Sequence, residues 1–146
     1  MERKSTALFV GHRDCYNLTP EDIKPAIEKA IKLGINTFLN GGMGHFDKIS
    51  AVAVNELKAK YPSIKLIWIK PYSTQKVLYS DLFDDSGLYA FDWHIENVGP
   101  RRAIPERNEY MIQHSSVVIY HIEHQSSGAF KTFMKAKERD LVIIEV

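Results

Sequence analysis

Apolar residues in this chain fall into short unbroken runs, separated by stretches in which they recur every three or four positions. Residues 6–10 (Thr-Ala-Leu-Phe-Val) form the first run, which stops at Gly11. A continuous apolar run of that length reads as a strand buried on both faces, as in a parallel sheet. Thr19-Pro20-Glu21-Asp22 then opens a helix. Thr19 suits the N-cap, Pro20 the first helical position, and two acids follow where the helix dipole favours them. Ile23, Ala26, Ile27, Ala30 and Ile31 continue at helical spacing, and Gly34 is the expected stop. A second strand is expected over 35–39, a second helix over 46–60 with Ile49, Val52, Ala53, Val54 and Leu57 inward, and a third strand over 64–69 ended by Pro71. Between 72 and 99 no period holds, so this stretch reads as a long excursion containing a short helix, and loops that long are usually functional. Order returns with a helix over 104–113, a strand over 116–121, a helix over 129–139 and a last strand over 141–145. Alternation of this kind predicts one Rossmann-like α/β domain spanning 1–146: a doubly wound, mostly parallel sheet of about five strands between two helical layers.

In such sheets ligands bind outside the carboxyl ends of the strands, and the candidate residues cluster there. Gly11-His12-Arg13-Asp14 follows the first strand. Gly41-Gly42-Met43-Gly44-His45-Phe46-Asp47 follows the second and runs into a helix, as Gln125-Ser126-Ser127-Gly128-Ala129 does after the fourth. Glycines let a backbone approach a ligand closely, and a helix N-terminus offers unpaired N–H groups to an anion. The same turn serves equally as a tight strand-to-helix connection that binds nothing. It is neither a P-loop, since the Gly-Lys-Ser/Thr ending is missing, nor a dinucleotide fingerprint, which would follow the first strand.

Arg13 could pair with phosphate or carboxylate, or simply with Asp14. Arg101, Arg102 and Arg107, with Asn108 beside the last, form either an anion-binding cluster or a solvated helix face. Asp47 sits one turn into its helix, where it could hold ribose hydroxyls or assist chemistry at a glycosidic carbon. His12 and His45 flank the proposed site and could act as acid–base groups, although a lone histidine is more often structural. Trp68 reads as core. Trp93 could cover a base or meet a second copy of the chain.

Composition narrows the classes. The chain has 146 residues, 45% of them hydrophobic and 25% charged, ordinary values for a globular cytoplasmic protein. A formal net charge of +1 supplies no bulk attraction to nucleic acid or an anionic membrane, so any attraction for anions is local. Cys15 is the only cysteine, and His114, His121 and His124 lack metal-site spacing, so neither a disulfide nor a zinc site is expected. Residues 1–6 lead straight into a strand without a signal-type apolar segment, and no run approaches the ~20 residues that span a bilayer. No membrane association and no cofactor are expected.

Taken together, Phe9-Val10-Gly11-His12-Arg13-Asp14, the turn ending Gly44-His45-Phe46-Asp47, Pro100-Arg101-Arg102-Ala103-Ile104 and Arg107-Asn108-Glu109-Tyr110-Met111 resemble the SLOG superfamily. The likeness is to the small bacterial stand-alone proteins of the YpsA type, and it runs in order from about residue 6 to 146. It implies a Rossmann-like fold related to DprA and to the lonely-guy (lysine-decarboxylase-like) phosphoribohydrolases, with a nucleotide or nucleotide-derived ligand. The resemblance implies a site of Gly11, Arg13, Gly42, Gly44, Asp47, Arg107, Asn108 and the Ser127-Gly128 turn. That late turn is often Gly-Gly in relatives. The Pro-Gly-Gly…Thr…Glu signature of the lonely-guy enzymes is absent, and the helix after Gly128 has no glutamate in its place. Binding or sensing of a nucleotide-type anion is therefore the leading expectation. Nucleotide N-glycosidase activity assisted by Asp47 or a histidine is the alternative, and DprA-like DNA binding, which the near-neutral charge argues against, is the third. The aromatic excursion over 78–93 offers a surface for a homo-oligomer contact.

Overall fold

A computed structural model describes residues 2–85 and 101–146 in full and 95–100 as helical backbone. Five parallel strands, β1 (Thr6–Gly11), β2 (Thr37–Asn40), β3 (Lys65–Trp68), β4 (Val117–His121) and β5 (Val142–Glu145), lie in the order β3-β2-β1-β4-β5. Leu8 is paired with Leu39 on one side and Val118 on the other, which places β1 at the centre. Four helices complete the alternation: α1 (Pro20–Lys32), α2 (Gly44–Leu57), α3 (Ile95–Gln113) and α4 (Gly128–Glu138).

Alternate residues of each strand face opposite layers. Ala7 and Phe9 of β1, with Phe38, Leu66, Val117 and Ile119, pack beneath α1 and α2 through Ile23, Ile27, Phe46 and Val54. Leu8 and Val10, with Leu39 and Val118, face α3 and α4 through Met111, Ile112, Phe133 and Ala136. Burying each such side chain contributes about 1.5–3 kcal/mol, so the strands require both layers. Doubly wound order follows from this partition: the chain winds outward from β1 to β3 under one layer, then crosses to β4 and continues the other way beneath the second. The reversal falls between β1 and β4.

The helix ends obey local chemistry. The Thr19 N–H donates to Asp22 Oδ2 at 2.8 Å, closing the expected start of α1. Two expectations need correction, and the short helix expected in the excursion gains its place. The helix expected over 104–113 begins nine residues earlier, at Ile95, and continues through Pro100 and Pro105. Prolines read as breakers because they lack an N–H and crowd the preceding turn. The 72–99 excursion contains a 3-10 turn (Ser80–Leu82) and a bridge from Asp85 to Ile67 that extends the β3 edge. Val52 is only half-buried, whereas its expected companions Ile49, Ala53, Val54 and Leu57 are buried. Trp93 and half of the proposed 78–93 contact surface, residues 86–93, lie outside the described residues. Among the described residues no helix is long and apolar enough to cross a membrane.

Candidate functional site

A cleft of about 530 Å3 opens at the carboxyl ends of the strands, between the loop after β1 and the start of α4. It lies where strand order reverses, the position at which open α/β sheets hold ligands. Gly11, His12, Arg13, Gly41, Asp47, Arg107, Asn108, Ser127 and Gly128 all line it. Gly42 and Gly44 lie on the far side of their turn, and Arg101 is exposed and outside the lining.

The glycine-rich turn is held by side chains of the protein itself. Gly42 and Gly44 have φ of 68° and 80°, a region L side chains rarely adopt. A Cβ on Gly44 would stand 2.5 Å from Arg13 Cα, and one on Gly42 2.7 Å from Trp68 Nε1. Gly11 must be small for a related reason, since a Cβ there would overlap the buried Phe46 ring. The turn's N–H groups are also engaged. Gly42 N–H donates to Asn40 Oδ1 at 2.8 Å, Met43 N–H to Asp47 Oδ2 at 2.9 Å, and His45 N–H to the Arg13 carbonyl at 2.9 Å. Much of the anion-binding capacity read from this turn is therefore met internally.

Arg107 is 3% exposed. Its Nη1 donates to the carbonyls of Gly41 (2.7 Å) and Ile69 (3.1 Å), and its Nε to Asn108 Oδ1 (2.8 Å). It braces the ends of β2 and β3 and leaves a positive charge in the cleft wall. Burial lowers its pKa only to about 10, so that charge persists at neutral pH. Buried Gln75, which no sequence signal marked, assists by donating from Nε2 to the Gly41 and Gly42 carbonyls while Oε1 accepts from Trp68 Nε1 at 3.0 Å.

Asp47 faces the same cleft. Burial pushes its carboxyl up to about 6, although the Met43 N–H bond and the charges of Arg107 and Arg13 pull the other way. Arg13 is exposed, and its guanidinium touches only Met43 Sδ, at 3.9 Å, among the described hydrogen-bond partners. On the opposite wall Ser127 Oγ accepts from the Phe130 N–H at 3.1 Å and caps α4. A Cβ on Gly128 would meet no atom within 4 Å, so the start of α4 is open beside the cleft.

His12 is buried at the hinge between the walls. Its Nε2 accepts from the N–H groups of Glu123 (2.8 Å) and His124 (3.4 Å), and its ring stacks on His124 at 4.1 Å. Accepting at Nε2 places the proton on Nδ1, and burial holds the pKa below its ordinary value, with the charge of His124 adding to the effect. Cys15 donates to the His12 carbonyl, and burial raises its thiol to about 11, which leaves it unreactive. His45 lies outside this cleft, its Nε2 bonded to the Leu18 carbonyl. No group of side chains among the described residues could hold a metal ion. Met43, Met111 and Thr132 also line the cleft and were not singled out by sequence, because apolar and hydroxyl residues in turns and helices look the same whether they wall a cleft or a core.

A solved structure has this architecture. The crystal structure of DNA processing protein A (DprA) from Streptococcus pneumoniae superposes with a TM-score of 0.68 over 96% of this chain. The fold is DprA-like. At 15% identity the likeness concerns the fold alone, and the chain spans 49% of the length of the DprA chain. No family model matches the sequence, and no curated protein matches it. The DprA-like sheet accounts for the position of the cleft, and the chain's own residues determine its chemistry.

Proposed function

We propose that the protein binds a nucleotide-derived anionic small molecule in the cleft between β1 and β4. The observation that carries this reading is the pairing of Arg13, free to donate, with the open N-terminus of α4 across one cavity. Charged guanidinium donors and helix-terminal N–H groups are suited to phosphate oxygens. The buried Arg107 charge adds to the local field, and Asp47 stands where a ribose hydroxyl could donate to it. The SLOG resemblance implies the same ligand class. A thermal-shift series with AMP, ADP-ribose and a cyclic dinucleotide tests it: at least one is expected to raise Tm, and Arg13→Ala to abolish the shift. No shift with any of them, or an undiminished shift in the variant, would sink the reading.

Two other readings have an observation each. The carboxyl of Asp47, with a pKa of about 6, is poised for acid–base work near neutrality, as an N-glycosidase would require. Its engagement with the Met43 N–H and the absence of a glutamate early in α4 count against this. Release of free base from incubated AMP would favour it. DNA binding is favoured by the DprA-like fold, and the formal net charge of +1 counts against it.

A further inference from the structure

The glycine-rich turn has a second side. There a hollow of about 440 Å3 is walled by Tyr16, His45, Lys48, Leu78 and Tyr79, and Arg13 lines both this hollow and the cleft. The two spaces therefore adjoin across one arginine. Tyr16 is 76% exposed with its ring 5.2 Å from that of His45, and Leu78 is wholly exposed. The Tyr79 ring packs on Phe83, which fixes the opposite wall. Neither Arg13 nor Lys48 forms an ion pair among the described residues. An open aromatic face, an open aliphatic side chain and two cations outside any described ion pair thus share one concavity.

We propose that this hollow receives the aromatic base of the ligand, whose anionic part lies in the cleft, with Arg13 between the two. The inference rests on the nucleotide reading above. Hydrogen-bonding capacity and continuity with the cleft select the occupant: a purely apolar group would offer Lys48 no acceptor, whereas the ring nitrogens of a base do, and a bare phosphate would leave Tyr16 and Leu78 uncovered. A planar heteroaromatic ring joined to an anion satisfies both, stacking on the tyrosine as bases do on aromatic platforms.

Calorimetric titration with AMP and with ribose 5-phosphate, which differ only in the base, tests this directly. AMP is expected to bind about tenfold more tightly, in keeping with the usual strength of base–aromatic stacking. Tyr16→Ala is expected to remove most of that advantage while leaving ribose 5-phosphate unchanged, and Tyr16→Phe to retain it. Tyr16 is at the surface, so the variants should keep the wild-type circular dichroism. Equal binding of the two probes by the wild type overturns the base pocket and leaves the nucleotide-anion reading standing, as does equal weakening of both by Tyr16→Ala. Failure of both probes to bind overturns the base pocket, and the nucleotide-anion reading falls with it when ADP-ribose and the cyclic dinucleotide also leave Tm unchanged.

Discussion

At the scale of single residues, two charged groups shape the cleft before any ligand enters. Arg107 serves the backbone carbonyls of Gly41 and Ile69, so its charge is held in place by the fold. Asp47 has the opposite problem, since its surroundings disfavour its charge. A carboxyl raised from 3.8 to about 6 in the folded state binds its proton more tightly there than in the unfolded chain. Its contribution to stability is therefore complete below about pH 4 and is lost as pH rises through 6. Asp47→Asn keeps an oxygen for the Met43 N–H and removes the titration. The stability of wild type minus that of the variant, from urea denaturation, is expected to fall by about 3 kcal/mol at most between pH 4 and 7. A difference that stays flat across this window would show that the carboxyl titrates normally.

At the scale of elements, the join between β4 and α4 depends on one imidazole. His12 Nε2 can accept from Glu123 and His124 only while it is unprotonated. The charges around it are mixed: His124 and His121 oppose protonation, while Asp14 and Glu123 favour it. Acidification through the depressed His12 pKa turns the acceptor into a donor facing two donors. Hydrogen exchange corrected for intrinsic rates is expected to show protection of the Glu123 amide at neutral pH. Protection should be lost on acidification to below the ordinary imidazole value of 6.5, and at any pH in His12→Ala. Unchanged protection in that variant would refute the link. This join also shows what sequence could convey. Runs such as residues 6–10 and the spacing of Ile23, Ala26, Ile27 and Ala30 announced their elements because burial on one or two faces dictates composition. The first turns of α3 did not, because Gly99, Pro100 and Pro105 look like breakers and their tolerance depends on tertiary surroundings. Strand-end placement likewise brought nine of the candidate residues to one cleft. That Gly42 and Gly44 make room for Trp68 and Arg13 was not legible, because a glycine facing a ligand and one facing a side chain look alike in sequence.

At the scale of the whole molecule, the DprA-like sheet raises the question of DNA, which a salt dependence can test. With a net charge of +1, and if Arg13, Arg107 and Lys48 beside the cleft are the groups that meet a backbone, about three phosphates would be neutralised. The slope of log K against log salt for a single-stranded oligonucleotide is then expected to be about −2. A gel-shift slope of about −5 or steeper would mean a far larger phosphate footprint and would reinstate DNA as the ligand. The same overall layout fastens the two walls of the cleft differently. The β1 loop is tied to α2 by the His45 N–H bond to Arg13 and by the close seat of Gly44 against the Arg13 backbone, while Arg107 ties the neighbouring strand ends together. Opposite it, exposed Gln125 and Ser126 connect β4 to α4, with the His12 bonds holding the segment just before them. The cleft is thus built like a vice with one jaw bolted to the bench, and a ligand too large for it is expected to displace residues 125–127, beyond the His12 bonds, before anything on the opposite wall.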